Sequence, residues 1–297
     1  MSNFTTLPTR PFTRLRPVSE LSIPSYFADV QTFDVIDAAV PDLGRGGPEG
    51  PAATIVDKTL QTGRPVIQPI HDDVSIATLP VYRGASMVSI VLWTTPADGV
   101  GVIEVWSPTG THDELALTAG HFGKLERFQN VSSFVRFEKG SGLPGGVWQT
   151  GGPILHEDLP NHRGFLRAAG ASAGQLENAI GLPVISSEFL ASVLLISSKA
   201  SPMARGVEVW TRQTDHFVLT QTSYGDIETD LQIEPQRQMD LNTGMAAMAA
   251  EHGGATTTEN EAFLYAGRGA SEGLHHGLAI PTYDTSKNLV AVTVLLN

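Results

Sequence analysis

The tripeptide Leu79-Pro80-Val81 returns as Leu182-Pro183-Val184 and, more loosely, as Ala279-Ile280-Pro281, so that its prolines fall 103 and 98 residues apart. After each proline a short polar step leads into an apolar, β-branched run: SMVSIVLWT, ASVLLISS and LVAVTVLL. Runs of this length and composition read as buried strands. Self-similarity at a fixed period governs every later reading, because each copy must be the same structural unit. A second pair of segments repeats as well. GVIEVWSPTGTHDELALTAGHFG (101–123) matches GVEVWTRQTDHFVLTQTSYG (206–225), and both outline a β-hairpin with a strand ending in Glu-Val-Trp. The first copy of this hairpin is expected within residues 26–40, where ADVQTFDVIDAAV alternates but lacks the Glu-Val-Trp. TLQTGRPVI (59–67) likewise anticipates VWQTGGPIL (147–155). The chain therefore reads as an N-terminal arm, 1–19, and three units, 20–99, 100–203 and 204–297. Each runs hairpin, helix, strand and two further strands, and about 100 residues suffice for a modest core. The joints TPADGV and KASPMAR are too short for a long helix. Consecutive units are therefore close-coupled, and the strands flanking a joint are expected as sheet neighbours.

Composition narrows the function classes. A formal charge of −12 argues against non-specific binding to nucleic acid or to an anionic membrane. The basic exception is the start, where Arg10, Arg14 and Arg16 stand among Pro8, Pro11 and Pro17 and read as an extended, solvated arm. The absence of cysteine removes thiol nucleophiles, disulfides, cysteine-ligated zinc and thioether-bound chromophores, and it fits a reducing cytoplasm. No apolar signal region opens the chain, and runs such as 289–296 are strand-length. A soluble, cytoplasmic protein with neither nucleic acid nor membrane as partner is expected.

The stretch GSGLPGGVWQTGGPILHEDL (140–159) carries the densest local signals. Gly140, Gly142, Pro144 and Gly145 form a turn into a short helix bearing Val147 and Trp148, and Thr150-Gly151-Gly152 stops it. Pro153 then opens a strand, a position where proline is tolerated. Together with FLRAAGASAGQLENAIGLPV and ASVLLISS, this stretch resembles the GAF domain, especially GAF modules of bacterial signalling proteins. The resemblance covers about 100–203 well, 204–297 moderately and 50–99 weakly. It implies an α+β protein of three consecutive GAF-like modules, each a central antiparallel sheet with few short helices. The first is degenerate and the second most complete. The resemblance also implies a small-molecule pocket on one sheet face, formed in the second module by Phe137, Trp148, His156, Phe165 and Ile180: an apolar cavity with one polar handle. Two departures stand out. The long N-terminal signalling helix of such domains is missing before each hairpin, and HDDVSIAT (71–78) leaves no room for a counterpart of the helix expected over 165–176. No output domain is present in the sequence. The family's sulfoxide reductases and attached bilins rely on cysteine, and its cyclic-nucleotide motif is absent here.

Chemical motifs dissolve into structural ones. The glycines of 140–146 do not fit a P-loop, since Lys139 precedes them. His156-Glu157-Asp158 with His162, echoed by His71-Asp72-Asp73, has no metal-ligand spacing and reads as a solvated strand end. Gly-x-Ser-x-Gly occurs around Ser172 and Ser271, but the residues before Ser172 read helical where a nucleophile elbow needs a strand. Trp106 and Trp210 recur at one hairpin position and read as core. No catalytic residue, metal or cofactor is expected. The function expected is that of a non-catalytic small-molecule-binding or sensory protein acting on a separate protein partner. The alternative is a structural protein that uses degenerate modules for homo-oligomeric assembly.

Overall fold

Strand alternation and the repeated turns build three antiparallel sheets. The structure, a computed structural model, describes residues 13–17, 29–37, 50–71, 74–95, 101–110 and 112–297. The first sheet contains β1 (Thr13–Pro17), β2 (Asp29–Asp37), β3 (Ile67–His71), β4 (Val74–Arg83) and β5 (Ser86–Thr95), in the order β1-β2-β5-β4-β3. The second contains β6 (Gly101–Pro108), β7 (Glu114–His121), β8 (Arg136–Glu138), β9 (Ile154–His156), β10 (Leu176–Ile185) and β11 (Phe189–Ser198), in the order β8-β7-β6-β11-β10-β9. The third repeats that order with β12 (Gly206–Arg212), β13 (His216–Tyr224), β14 (Gln238–Asp240), β15 (Thr256–Thr258), β16 (Gly277–Tyr283) and β17 (Leu289–Leu296). The first sheet departs in one connection. Its β1 precedes β2 in the chain yet takes the place that β7 and β13 hold beside their central strands. Part of the expected arm is thus an edge strand, paired from Thr13↔Asp37 to Pro17↔Phe33, and the hairpin expected within 26–40 is the single strand β2. The rest of that arm lies outside the described residues.

Alternation gives each sheet two faces, and the back faces of all three turn toward one another. Leu79 and Val91 from the first sheet, Val105, Leu182 and Val193 from the second, and Val209, Ile280 and Leu295 from the third share one buried cluster. At its end the repeated prolines Pro80, Pro183 and Pro281 meet around a narrow cleft. Edge strands close the ring: β3 lies against β7, β9 against β13, and β15 against β2. Polar contacts fix each seam. The His121 Nδ1 and Ser75 Oγ lie 3.0 Å apart, Gln221 accepts from the Leu155 N–H (2.7 Å) and donates to the Pro153 carbonyl (3.2 Å), and Ser89 Oγ accepts from the Ala255 N–H (2.8 Å). The strands flanking a joint are not sheet neighbours, contrary to expectation. Both sides of β5, β6, β11 and β12 are already occupied within their own sheets. Stacking the apolar back faces removes them from water, which one continuous sheet would not do.

A helix covers each outer face: α1 (Gly50–Thr62), α3 (Gly142–Thr150) and α5 (Gly244–His252). The second sheet adds α2 (Glu126–Phe134) and α4 (Ala168–Ala173), and the third adds α6 (Glu261–Leu264). α1, α3 and α5 all end at a left-handed glycine, Gly63, Gly151 and Gly253, whose N–H bonds to the carbonyl of Thr59, Val147 or Ala249. The stop read at Thr150-Gly151-Gly152 is therefore one of three. The helix expected over 165–176 is only the six residues of α4, because Gln175 turns to positive φ and Leu176 already belongs to β10.

Candidate functional site

In β6 the two-residue period places Glu104 and Trp106 on the outer face and Val105 on the back. A bulge sharpens the bend there: Thr118 is left unpaired between Ala119 and Leu117, and its hydroxyl donates to the Val105 carbonyl (3.2 Å). Glu104 and Arg167 are 0% and 3% exposed and form a forked ion pair. One carboxylate oxygen accepts from Arg167 Nη1 and from the Ser132 hydroxyl (2.9 Å). The other accepts from Arg167 Nη2 (2.8 Å) and from the Trp106 indole N–H (2.9 Å). Phe128, Phe165, Trp106 and Phe137 surround the guanidinium, with ring centroids 4.6–5.8 Å from its central carbon. The third sheet repeats the device. Glu208 accepts from Trp210 Nε1 (2.9 Å), Arg268 Nη2 (2.9 Å) and the Tyr224 hydroxyl (2.6 Å), and Thr220 plugs the equivalent bulge. Burial, followed by the Glu208 charge, pushes the Tyr224 phenol well above its ordinary pKa. In the first sheet Phe33 occupies the tryptophan position by register, and an exposed Gln31 stands where the glutamates do. Sequence reading caught the Glu-Val-Trp repeat and missed its arginines. A charged residue inside an apolar strand was the available signal, since a buried carboxylate demands a partner.

Four of the five expected pocket residues share this outer face. Phe137 and Phe165 are fully buried, Phe137 edge-on to Trp106 (4.8 Å), and both pack against the paired guanidinium. Trp148 is half-buried on α3, stacked on Phe189 at 5.6 Å with the Lys139 ammonium 5.5 Å from its ring. His156 pairs with Ala179 across β9 and β10 and stacks on His162, ring centroids 3.7 Å apart. Its Nδ1 is buried without a hydrogen-bond partner among the described residues. Burial, helped by the neighbouring His162, pushes its pKa down to about 4. Ile180 is the exception. Its neighbour Ala179 faces the outer cluster, so alternation turns Ile180 to the back, into the core shared by the three sheets. Ser172 sits within α4, and Ser271 lies in the loop before β16.

A separate concavity opens at the seam between the second and third sheets, where the shared core becomes polar. This cleft has a volume of about 780 Å³. Glu157, Asp158, Glu177, Asn178 and Ser197 come to it from the second sheet. Lys199, Met203 and Ala204 come from the joint, and Val207, Ser223 and Asp226 from the third sheet. The Leu159 N–H to Glu177 carbonyl bond (2.8 Å) sets Glu157 and Asp158 alongside Glu177. Arg205 holds Asp226 at 3.2 Å. Of these residues only Glu157 and Asp158 were noticed in the sequence, as part of a solvated strand end, because the cleft exists only where the second and third sheets meet.

No protein-family model and no curated protein matches this chain. Solved structures do. The chain is similar to the A. aeolicus NLH2 GAF domain in an inactive state, with 19% identity over 33% of this chain and 57% of that one, at a TM-score of 0.27. A GAF domain from a phosphoenolpyruvate-protein phosphotransferase of Coxiella burnetii gives 22% identity, 33% and 55% coverage and a TM-score of 0.27. A Staphylococcus aureus NreA protein mutated in its nitrate binding site gives 14%, 36% and 79%, and 0.29. Solved GAF domains are thus among the structures this chain is similar to, over about a third of its length. The match spans little more than half of either GAF domain. No helix among the described residues is long and apolar enough to cross a membrane.

Proposed function

We propose that this protein is a non-catalytic, small-molecule-binding regulatory protein built from three GAF-like modules, 20–99, 100–203 and 204–297, that signals to a separate protein partner. The observation that carries the binding reading is the seam cleft, whose volume of about 780 Å³ falls within the range of small-molecule sites. The outer face supports placing the ligand at the seam. Phe137, Phe165 and Trp106 there already enclose Arg167, whose charge is matched by Glu104. A non-catalytic role accords with the state of the deeply buried charges, since Glu104 and Glu208 are each tied to an arginine and an indole. Native mass spectrometry of protein purified without refolding tests this reading. A retained small-molecule mass, or a saturable rise in melting temperature with a ligand from a metabolite panel, is expected. Bare chain mass together with no ligand shift would sink it.

A further inference from the structure

The seam cleft presents a one-sided chemistry. Its sheet-two wall carries the carboxylates of Glu157, Glu177 and Asp158, the last also accepting from the Asn161 amide, and among the described residues Lys199 is the one lining side chain of opposite sign. Asp226 across the cleft is already held by Arg205. Deeper in, Ser197 and Ser223 are 2% and 6% exposed, and neither hydroxyl has a hydrogen-bond partner among the described residues. Both lie on back faces, Ser223 through its pairing with Val207 and Ser197 two residues beyond Leu195 of the shared core. Unpartnered hydroxyls that open onto a cavity are groups that a bound donor would satisfy. The cleft therefore offers acceptors at its wall and in its depth, above an apolar floor formed by Met203 and Val207.

Two kinds of cation could answer such a surface. A hard metal ion needs several oxygen ligands converging on one point. Among the described residues no three His, Asp or Glu side chains converge in that way. Separated carboxylates over an apolar floor instead suit a ligand whose charges are spaced along a methylene chain. Resting on the small-molecule reading above, we propose that the cleft binds a small linear organic polycation of the polyamine class. Its ammonium groups would donate to Glu157, Asp158 and Glu177, one end would reach the Ser197 and Ser223 hydroxyls, and its methylenes would lie on Met203 and Val207. The carboxylates are partly exposed, so the attraction is screened by salt.

Isothermal titration of the full chain with spermidine tests this. Saturable binding at one site is expected, weakening as salt rises. Glu177→Gln should weaken it about tenfold or more, since each lost charge-assisted bond is of that order. Glu157→Gln, at a more exposed position, should act in the same direction. Asp215→Asn, which removes an exposed carboxylate on the β12–β13 turn, should leave binding unchanged. Unchanged affinity in both glutamine variants would overturn the proposal, as would equal competition by magnesium at matched charge or the absence of saturable heat. If spermidine fails but a retained mass or another ligand is displaced by Glu177→Gln, the polyamine assignment falls and the binding reading stands. If nothing binds at all, both fall.

Discussion

Glu104 and Arg167 illustrate why a buried ion pair is costly to break from one side. Each charge has lost its water. The carboxylate is compensated by Arg167 and by the Trp106 and Ser132 donors, the guanidinium by Glu104, the Ser132 oxygen and the surrounding rings. Glu104→Gln strands the guanidinium, so urea unfolding should show a loss of about 3–5 kcal/mol. Glu208→Gln should behave alike, with Arg268 left uncompensated. Half of this device was legible in the sequence. The glutamates repeat with their tryptophans, whereas Arg167 and Arg268 come from loops of different spacing that only the fold brings to equivalent places. His156 supplies a pH dependence of definite sign. Unfolded, it takes a proton near pH 6.5, but folded only near pH 4. Between those values the unfolded state binds more protons, so this contribution is complete above about pH 6.5 and is lost as pH falls toward 4. His121, also lowered by burial, acts in the same direction. Melting temperatures measured from pH 7 to pH 4 should fall more steeply for the native protein than for His156→Gln. Parallel curves would contradict the assignment.

At the scale of elements, the repeated helix is fixed by its ends and by what it rests on. α3 presses on β10 so closely that a Cβ at Gly181 would lie 2.6 Å from Val147 Cγ2. The Ser192 hydroxyl, donating to the Pro144 carbonyl at 2.8 Å, holds the helix down. Gly181→Ala should therefore overpack this contact and cost about 1–3 kcal/mol in denaturant midpoint analysis. The same change on an open surface would be nearly silent. The helix stops, the Glu-Val-Trp strands and the β-branched closing strands were readable because glycine, alternation and β-branching act locally. β1 and the true extent of α4 were not. Thr13–Pro17 is a strand only because β2 offers it an edge, and FLRAAGASAG carries helical composition that the turn at Gln175 overrides.

For the whole molecule, the decisive fact is that three back faces share one interior. Val105, Leu182, Ile280 and Leu79 come from all three sheets and bury one another. Unfolding by calorimetry should accordingly give one cooperative transition rather than three. Leu182→Ala, expected to cost about 2–5 kcal/mol, should lower that single transition without splitting it. Separate transitions would mean that each sheet keeps its own counsel. The period of about 100 residues made the recurring strands of the three sheets legible, but the closure of the sheets into a ring was hidden, since nothing in one stretch specifies what its back face meets. The ring also partitions freedom to change. A back-face side chain must suit residues of two other sheets at once, so its alternatives are few. An outer-face side chain answers only to its own helix and loops. The three outer faces already differ, one with Phe33 and Gln31, one with a guanidinium held among four aromatic rings, and one with Tyr224 and Arg268 on the carboxylate. A chain arranged this way can diversify three surfaces separately while a common centre keeps them in one body.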